Sequence, residues 1–392
     1  MTTTINNKNK KANVPNLRFP EFQGEWEKCR LGDITENFNL RNKDKIQYPM
    51  FSVTNDRGFV PQSEQFEGRD MVGEDIKAYK IIHTNDFAYN PARINVGSIA
   101  MYTGEKPCMI SSLYVCFKTT KEVNNEWLMQ LLKTPKMNYY YNVNGEGGVR
   151  VYLFYPNFAR IRMSIPKIEE QKKIAKLLNL IDERIATQNK IIEDFKKLKS
   201  AIIEKLYSEI QGKEYSYRQL FDVVNERNKQ MEYSNILSAS QEKGMINRDD
   251  LNLDIQFERS NINTYKIVRA GDYVIHLRSF QGGFAFSDKS GVCSPAYTIL
   301  RPNSFLEYSY LSNYFTSQRF IKSLIIVTYG IRDGRSINVD EWLSMKITIP
   351  SKEHQQYIVK MIGSFDRKIE SEEAYTIHLS KQKQYILRQM FI

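Results

Sequence analysis

Ile165-Pro166-Lys167-Ile168-Glu169-Glu170-Gln171 and Ile349-Pro350-Ser351-Lys352-Glu353-His354-Gln355 stand 184 residues apart, and each opens a stretch of 44 residues that aligns with the other without a gap. Over 165–208 and 349–392 the chain repeats Ile165/Ile349, Pro166/Pro350, Glu169/Glu353, Gln171/Gln355, Ile174/Ile358, Lys176/Lys360, Asp182/Asp366, Ile185/Ile369, Lys197/Lys381, Lys199/Lys383 and Ile202/Ile386. Self-similarity at one long period sets the architecture ahead of any local reading.

Within the first copy, seam positions fall at 174, 178, 181, 185, 188, 192, 195, 199, 202 and 206, alternating gaps of four and three. That is a heptad pattern, and the second copy follows it with Ile358, Ile362, Phe365, Ile369, Thr376, Leu379, Ile386 and Met390. Both stretches therefore read as long amphipathic helices, with Pro166 and Pro350 at their starts. The polar seam positions also repeat, Gln188 with Glu372 and Lys199 with Lys383, and buried polar seam residues fix register. At about 1.5 Å per residue, some 40 helical residues would reach roughly 60 Å and need a partner along their length. The second helix can supply it, and the long intervening segment makes an antiparallel pairing easy.

The segments between the helices echo each other more faintly. Tyr79-Lys80-Ile81-Ile82 before Asp86-Phe87 matches Tyr265-Lys266-Ile267-Val268 before Asp272-Tyr273, and Arg41-Asn42-Lys43 returns as Arg227-Asn228-Lys229. Ser111 and Tyr114 align with Ser294 and Tyr297. Tyr79 to Ile82, Val115 to Lys118 and Ile347 to Ile349 read as strands, while Trp127 to Leu132 and Tyr308 to Phe320 read as helices. The expected fold class is α+β: two mixed α/β globules in tandem, each followed by a long helix, the helices pairing as an antiparallel coiled coil with pseudo-two-fold symmetry. The expected boundaries are globule 1 over 1–164, a long helix over 165–210, globule 2 over 211–348 and a long helix over 349–392.

A chain of 392 residues is ample for two such cores. It has no run of 18 apolar residues, and Met1 to Val14 is polar and basic, so neither a membrane span nor a signal peptide is expected. Cys29, Cys108, Cys116 and Cys293 lack CxxC spacing and read as reduced cytosolic thiols. Each helix stretch contributes +2 to the net charge of +11, which leaves +7 in the globules and tail. With 24 Tyr, that excess suits contact with a nucleic-acid backbone.

Catalytic patterns are missing. No GxGxxG or Walker A run occurs, and Asn90-Pro91-Ala92-Arg93 lacks the second Pro and the aromatic of an adenine methyltransferase loop, so it reads as a turn with a basic tip. His83, His276, His354 and His378 are scattered, and no catalytic or metal site is expected. If the long helices pair antiparallel, the globules are held apart as by a ruler. Two basic readers of different sequence should then contact two different half-sites across an unread spacer.

The order of parts, the Ile-Pro-x-x-Glu-x-Gln opening of each helix, and the line Asp86-Phe87-Ala88-Tyr89-Asn90-Pro91 resemble the specificity subunit of a type I restriction-modification enzyme across essentially the whole chain. The resemblance implies two target-recognition domains on a helical spacer, reading an asymmetric bipartite target in double-stranded DNA. It also implies two modification (methyltransferase) subunits and restriction subunits as partners. S-adenosylmethionine, ATP and Mg would be held by those partners, no cofactor by this chain, and the setting would be cytoplasmic.

Such proteins read bases from loops, where Arg and Lys bridge guanine and Asn and Gln pair with adenine. The candidates are Arg41, Lys43, Arg57, Arg69, Asn90, Arg93, Asn95 and Arg150 in the first globule. In the second they are Arg227, Lys229, Arg248, Arg278, Gln281, Arg332 and Arg335. Gln171, Lys176, Gln355 and Lys360 are the candidates for an outward, partner-binding helix face. Two other readings stay open: a non-catalytic coiled-coil scaffold, and the specificity chain of a smaller restriction system with fused methylase and nuclease.

Overall fold

Both repeats are helices in the computed structural model, Ile168–Ser208 and Lys352–Met390. The structure describes residues 13–65, 76–147, 151–240, 243–250, 259–276, 283–329 and 336–392. Pro166 and Pro350 lie two positions ahead of the first helical residue, where they stop the preceding strand and leave Lys167 and Ser351 to accept the first helical N–H bonds. The chain divides into two compact units, Met1–Thr187 with Tyr375–Ile392, and Gln188–Ala374. Each unit joins one globule to half of each long helix.

In unit 1 the helix halves run antiparallel. Lys383 Nζ donates to both carboxylate oxygens of Asp182 at 2.6 and 2.7 Å, and Gln130 Nε2 adds a bond to Asp182 at 2.9 Å. In unit 2 the same pair recurs with its order exchanged: Lys199 Nζ donates to Asp366 at 2.5 Å. Gln188, buried on the same seam, donates to Glu372. Of the repeated polar seam positions, Gln188 and Glu372 bond to each other, while Lys383 and Lys199 each take a repeated aspartate from the other helix, and these pairs fix the register of each unit. Lys383→Asp is expected to cost on the order of 1 kcal/mol, and adding Asp182→Lys to restore it. Thermal unfolding of the full chain reads this; a double variant no more stable than the single would remove the register role.

Near the end of each helix some buried residues shift by one from the heptad, while Met390 stays buried at its expected place. Ile203 and Tyr207 are buried where 202 and 206 were expected, and Leu387 takes the place of Ile386. A straight helix drifts against a strict seven-residue repeat. These last turns also leave the helix seam and enter the globule: Ile203 and Tyr207 join the core around Trp342, while Leu387, Met390 and Phe391 join the core around Trp127.

The globules share one strand plan. In unit 1, Glu27–Arg30 pairs with Arg162–Ile165, and a four-stranded antiparallel sheet runs Thr35–Phe38, Val115–Thr119, Phe87–Tyr89, Ile99–Met101. In unit 2, Lys213–Ser216 pairs with Lys346–Ile349, and the sheet runs Phe221–Val224, Thr298–Pro302, Tyr273–Ile275, Phe284–Phe286. Phe87, Ala88 and Tyr89 are all buried, so both faces of this central strand are covered and no polar alternation shows in it. Leu31 N donates to Ile161 O at 2.9 Å and Tyr217 N to Met345 O at 3.1 Å, closing the two globules in the same way. The cores are filled differently: Tyr217 stacks on Trp342 at 4.2 Å in unit 2, whereas Phe158 lies among Tyr89, Phe117 and Tyr141 in unit 1.

Asn125–Leu132 is helical as expected, capped by Asn124. Tyr308–Phe320 is not one helix. Ser309 takes a left-handed φ of 62°, a 3-10 turn covers Tyr314–Thr316, and Ser317 caps a separate helix over Gln318–Ser323. Cys108, Cys116 and Cys293 are buried and Cys29 half-buried, all as free thiols. Burial pushes the Cys29 thiol up to about 11 and the other three to about 12. At pH 8 the native protein is therefore expected to react with iodoacetamide at least about a hundredfold more slowly than free cysteine, with all four thiols reacting in denaturant; fast labelling of Cys29 without denaturant would contradict this.

Candidate nucleic-acid interface

The repeated Arg-Asn-Lys triplets form the same loop in both units. Asn42 is wholly buried; its Nδ2 donates to Ile46 O at 2.8 Å and its Oδ1 accepts from Ile46 N at 3.0 Å. Asn228, also wholly buried, holds Tyr233 the same way at 2.7 and 3.2 Å. The backbone N of each Asn donates to a tyrosine carbonyl, Tyr79 at 3.0 Å and Tyr265 at 2.9 Å. Three residues on, Lys45 and Met231 share a left-handed φ of 54° and 55°. An amide that satisfies a turn from inside leaves its neighbours pointing out. Arg41, Lys43, Arg227 and Lys229 are accordingly exposed, and Arg227 also donates to Thr264 O at 3.3 Å. The sequence marked the triplet, and the residue that builds it is the Asn between the charges.

A second group comes together in unit 1. Arg57 lies exposed in the turn between Phe51–Thr54 and Gly58–Pro61. That turn sits against Gly97, where an added Cβ would stand 2.9 Å from Asn55 O. Gly97 has a φ of 103°, so both its backbone and its contact require glycine. Next to it, Ser98 Oγ donates to Val53 O at 2.7 Å. Asn90 Oδ1 accepts from Ala92 N at 3.0 Å, forming the turn that presents Arg93 to solvent. Asn95 Nδ2 donates to Asn142 Oδ1 at 3.0 Å, which ties the loop to the helix Pro135–Asn144. Arg57, Asn90, Arg93 and Asn95 thus share one rim, with Asn90 and Asn95 half-spent on holding it. Both remain chemically able to pair with an adenine edge through the atoms left over.

In unit 2, Arg248 is half-buried and lines a cavity of about 630 Å³. Arg227 and Lys229 border a second, basic hollow with Arg269. Arg269 is held by Glu226 at 3.1 Å, and Glu226 also pairs with Arg301, which forks onto the buried Asp272 at 3.0 Å. Arg69, Arg150, Arg278, Gln281, Arg332 and Arg335 lie outside the described residues.

On the helices the structure corrects two expected partner-facing residues. Gln171 and Gln355 face inward, each only 1 % exposed. Gln171 Oε1 accepts from Asn124 N at 2.8 Å while its Nε2 donates to Glu122 O and Pro166 O at 3.1 and 2.9 Å. Gln355 does the same with Glu307 N at 2.8 Å, Phe305 O at 3.0 Å and Pro350 O at 3.1 Å. Each glutamine pins the start of its helix to a loop of its globule, which is why both copies need that residue there. Lys176 and Lys360 do point outward. So do Leu180, Leu198, Ile377 and Tyr385, apolar residues between 48 % and 62 % exposed that the heptad reading left aside.

The start of the first helix has a further clamp. Glu170, 1 % exposed, accepts from Arg18 Nε at 2.8 Å and Nη2 at 2.7 Å, and from Trp26 Nε1 at 3.2 Å. Leu17 N donates to Gln389 O at 3.0 Å, so the segment ahead of the first strand holds both helix halves of unit 1. In unit 2 the corresponding helical position is the exposed His354.

Among the described residues no helix is long and apolar enough to cross a membrane. The family model for the type I restriction modification DNA specificity domain matches residues 23–197 and again 212–380. The type I restriction enzyme MjaVIII specificity subunit of Methanocaldococcus jannaschii is 24% identical over 415 residues, spanning 95% of this chain and 92% of that protein. Among solved structures, a chain from work on complex assembly and conformational transition of the type I R-M system superposes with a TM-score of 0.61 at 13% identity, over 92% of this chain and 96% of that one. A type I restriction-modification S subunit from M. genitalium gives 0.53 at 13% identity, over 97% and 99%. With the two family matches covering most of its length, one on each globule and the helix that follows it, this chain belongs to the type I restriction modification DNA specificity domain family.

Proposed function

We infer that this chain is the DNA-specificity subunit of a type I restriction-modification complex, with no catalytic chemistry of its own. One observation carries the reading: two units of the same strand order each hold out an Arg and a Lys around a wholly buried Asn. Exposed cations of this kind neutralise phosphates and set the protein's position on the duplex, while neighbouring polar side chains reach base edges. Because the side chains around the two loops differ, the halves of the target differ as well. The proposed target is asymmetric and bipartite, with a spacer of fixed length.

The chemistry then belongs to partners. Two modification subunits would carry S-adenosylmethionine and methylate adenine, and restriction subunits would use ATP and Mg. Each unit supplies its own mixed basic and apolar surface that such subunits could cover, Lys176 with the exposed Leu180, Ile377 and Tyr385 in unit 1, and Lys360 with the exposed Leu198 in unit 2. Co-expression with the neighbouring modification subunit, followed by single-molecule sequencing of host DNA, tests the reading. A single split adenine-methylation motif of constant spacing, lost when this chain is omitted, is the expected result. An active modification subunit that methylates no such motif with this chain present would overturn it in favour of a scaffold.

A further inference from the structure

The units share a second frame of repeated serines and tyrosines around side chains that differ, Gln62 against Arg248 and Asn90 against His276. In unit 2 the 630 Å³ cavity is lined by Ser238, Arg248, Tyr265, His276, Ser294 and Tyr297, among others. Unit 1 has Ser52, Tyr79, Ser111 and Tyr114 at the corresponding places. Their hydrogen bonds correspond, main chain and side chain alike. Tyr114 N donates to Ser111 O at 3.2 Å and Tyr297 N to Ser294 O at 3.1 Å. Tyr114 Oη accepts from Val53 N at 3.2 Å, and Tyr297 takes the equivalent bond from Ala239. Lys80 and Lys266 cross to Tyr114 O and Tyr297 O at 2.6 and 2.7 Å.

Into this constant frame unit 1 places Gln62 and unit 2 places Arg248. The equivalence is fixed by the main chain: Gln62 N donates to Met50 O at 2.9 Å, and Arg248 N to Ile236 O at 2.9 Å. Gln62 Nε2 donates to Ser52 Oγ at 3.1 Å, but its Oε1 is buried and has no hydrogen-bond partner among the described residues. A buried acceptor without a donor is unfavourable, and such atoms in native folds call for an explanation. What Oε1 lacks is an N–H. Adenine presents N6–H beside N7 in the major groove and is the partner of Gln, while guanine presents O6 and N7 and is the partner of Arg.

We propose that this frame is the base-reading position of each unit, with Gln62 selecting an adenine in one half of the target and Arg248 selecting a guanine in the other. The frame's tyrosines and serines repeat because they build the site; Gln62 and Arg248 differ because the half-sites differ. The adjoining Arg-Asn-Lys loop, bonded to the carbonyl of Tyr79 or Tyr265, would hold the phosphates beside it. This rests on the DNA-specificity reading above and goes further by naming the residue and the base.

The test uses the full chain in complex with its modification subunit and reads the methylation motif genome-wide for wild type, Gln62→Glu and Arg248→Gln. Gln62→Glu keeps the shape of the side chain but removes its donor. It is expected to change one adenine position in one half of the motif, lowering methylation of the original motif about tenfold to hundredfold and leaving the other half intact. Arg248→Gln should change one guanine position in the opposite half only. A variant complex that methylates nothing is assayed instead for binding to duplexes carrying the wild-type motif or single base changes, where the same one-position loss of preference is expected. Wild-type motifs and levels from both variants, or loss of preference at every position together, would overturn the assignment while the wild-type motif upheld the broader reading. A wild-type complex with no motif at all would sink both.

Discussion

Arg18→Ala is expected to destabilise unit 1 by about 3–5 kcal/mol, because it leaves the Glu170 carboxylate buried without its counter-ion. Glu170's side chain is 2% exposed, and among the described residues the Trp26 indole would be left as its donor. Hydrogen exchange separates this effect by unit: protection should fall around Glu170, Trp26 and Gln389, while the strands of unit 2 keep theirs. Adding Glu170→Gln should recover most of the loss, since a neutral amide needs no counter-ion and its oxygen can still accept from Trp26. Unchanged exchange in Arg18→Ala would show that the clamp is ornamental. The clamp belongs to unit 1 alone among the described helix starts, since unit 2 has the exposed His354 where unit 1 has the buried Glu170.

Gln355→Ala is expected to cost about 2–4 kcal/mol by stranding Glu307 N, Phe305 O and Pro350 O together, of which the last lies in a fully buried bond. Gln355→Glu separates hydrogen bonding from volume. A carboxylate can still accept from Glu307 N but faces two carbonyl oxygens with no proton to give, so it should be as damaging as alanine despite filling the space. Urea unfolding of the full chain, followed by a probe in unit 2, reads both. If Gln355→Glu were as stable as wild type, the bonds to Phe305 and Pro350 would carry no weight. The equivalent change at Gln171 should act on unit 1 in the same way.

The long helices were legible because a seam of apolar residues leaves a periodic trace, and the antiparallel pairing was prefigured by Lys199 and Lys383 standing at the same place in both copies. Their partners, Asp366 and Asp182, are repeated too, so the ion pairs could be read as a pattern once the direction was fixed. Gln171 and Gln355 misled because a glutamine on the first turn of a helix has no periodic neighbours to say whether it faces in. The groups it meets decide, and beside the nearby proline carbonyl these come from a loop about 50 residues away. Tyr308–Phe320 carried helix-forming residues, yet Ser309 breaks it with a left-handed turn that no local propensity announces. Gln62 stayed hidden for a different reason. Its counterpart is an arginine, and a comparison by identity passes over a position whose value lies in being different.

The composition of unit 1 has a consequence for how the protein is made. Its core contains Leu387, Met390 and Phe391, and Leu17 is tied to Gln389, whereas unit 2 is a single continuous stretch from Gln188 to Ala374. On the ribosome, the half encoded second can therefore finish folding before the half encoded first, whose apolar surface around Trp127 waits uncovered until residues 375–392 emerge. A premature stop late in the reading frame would spare the nearer unit and unmake the more distant one.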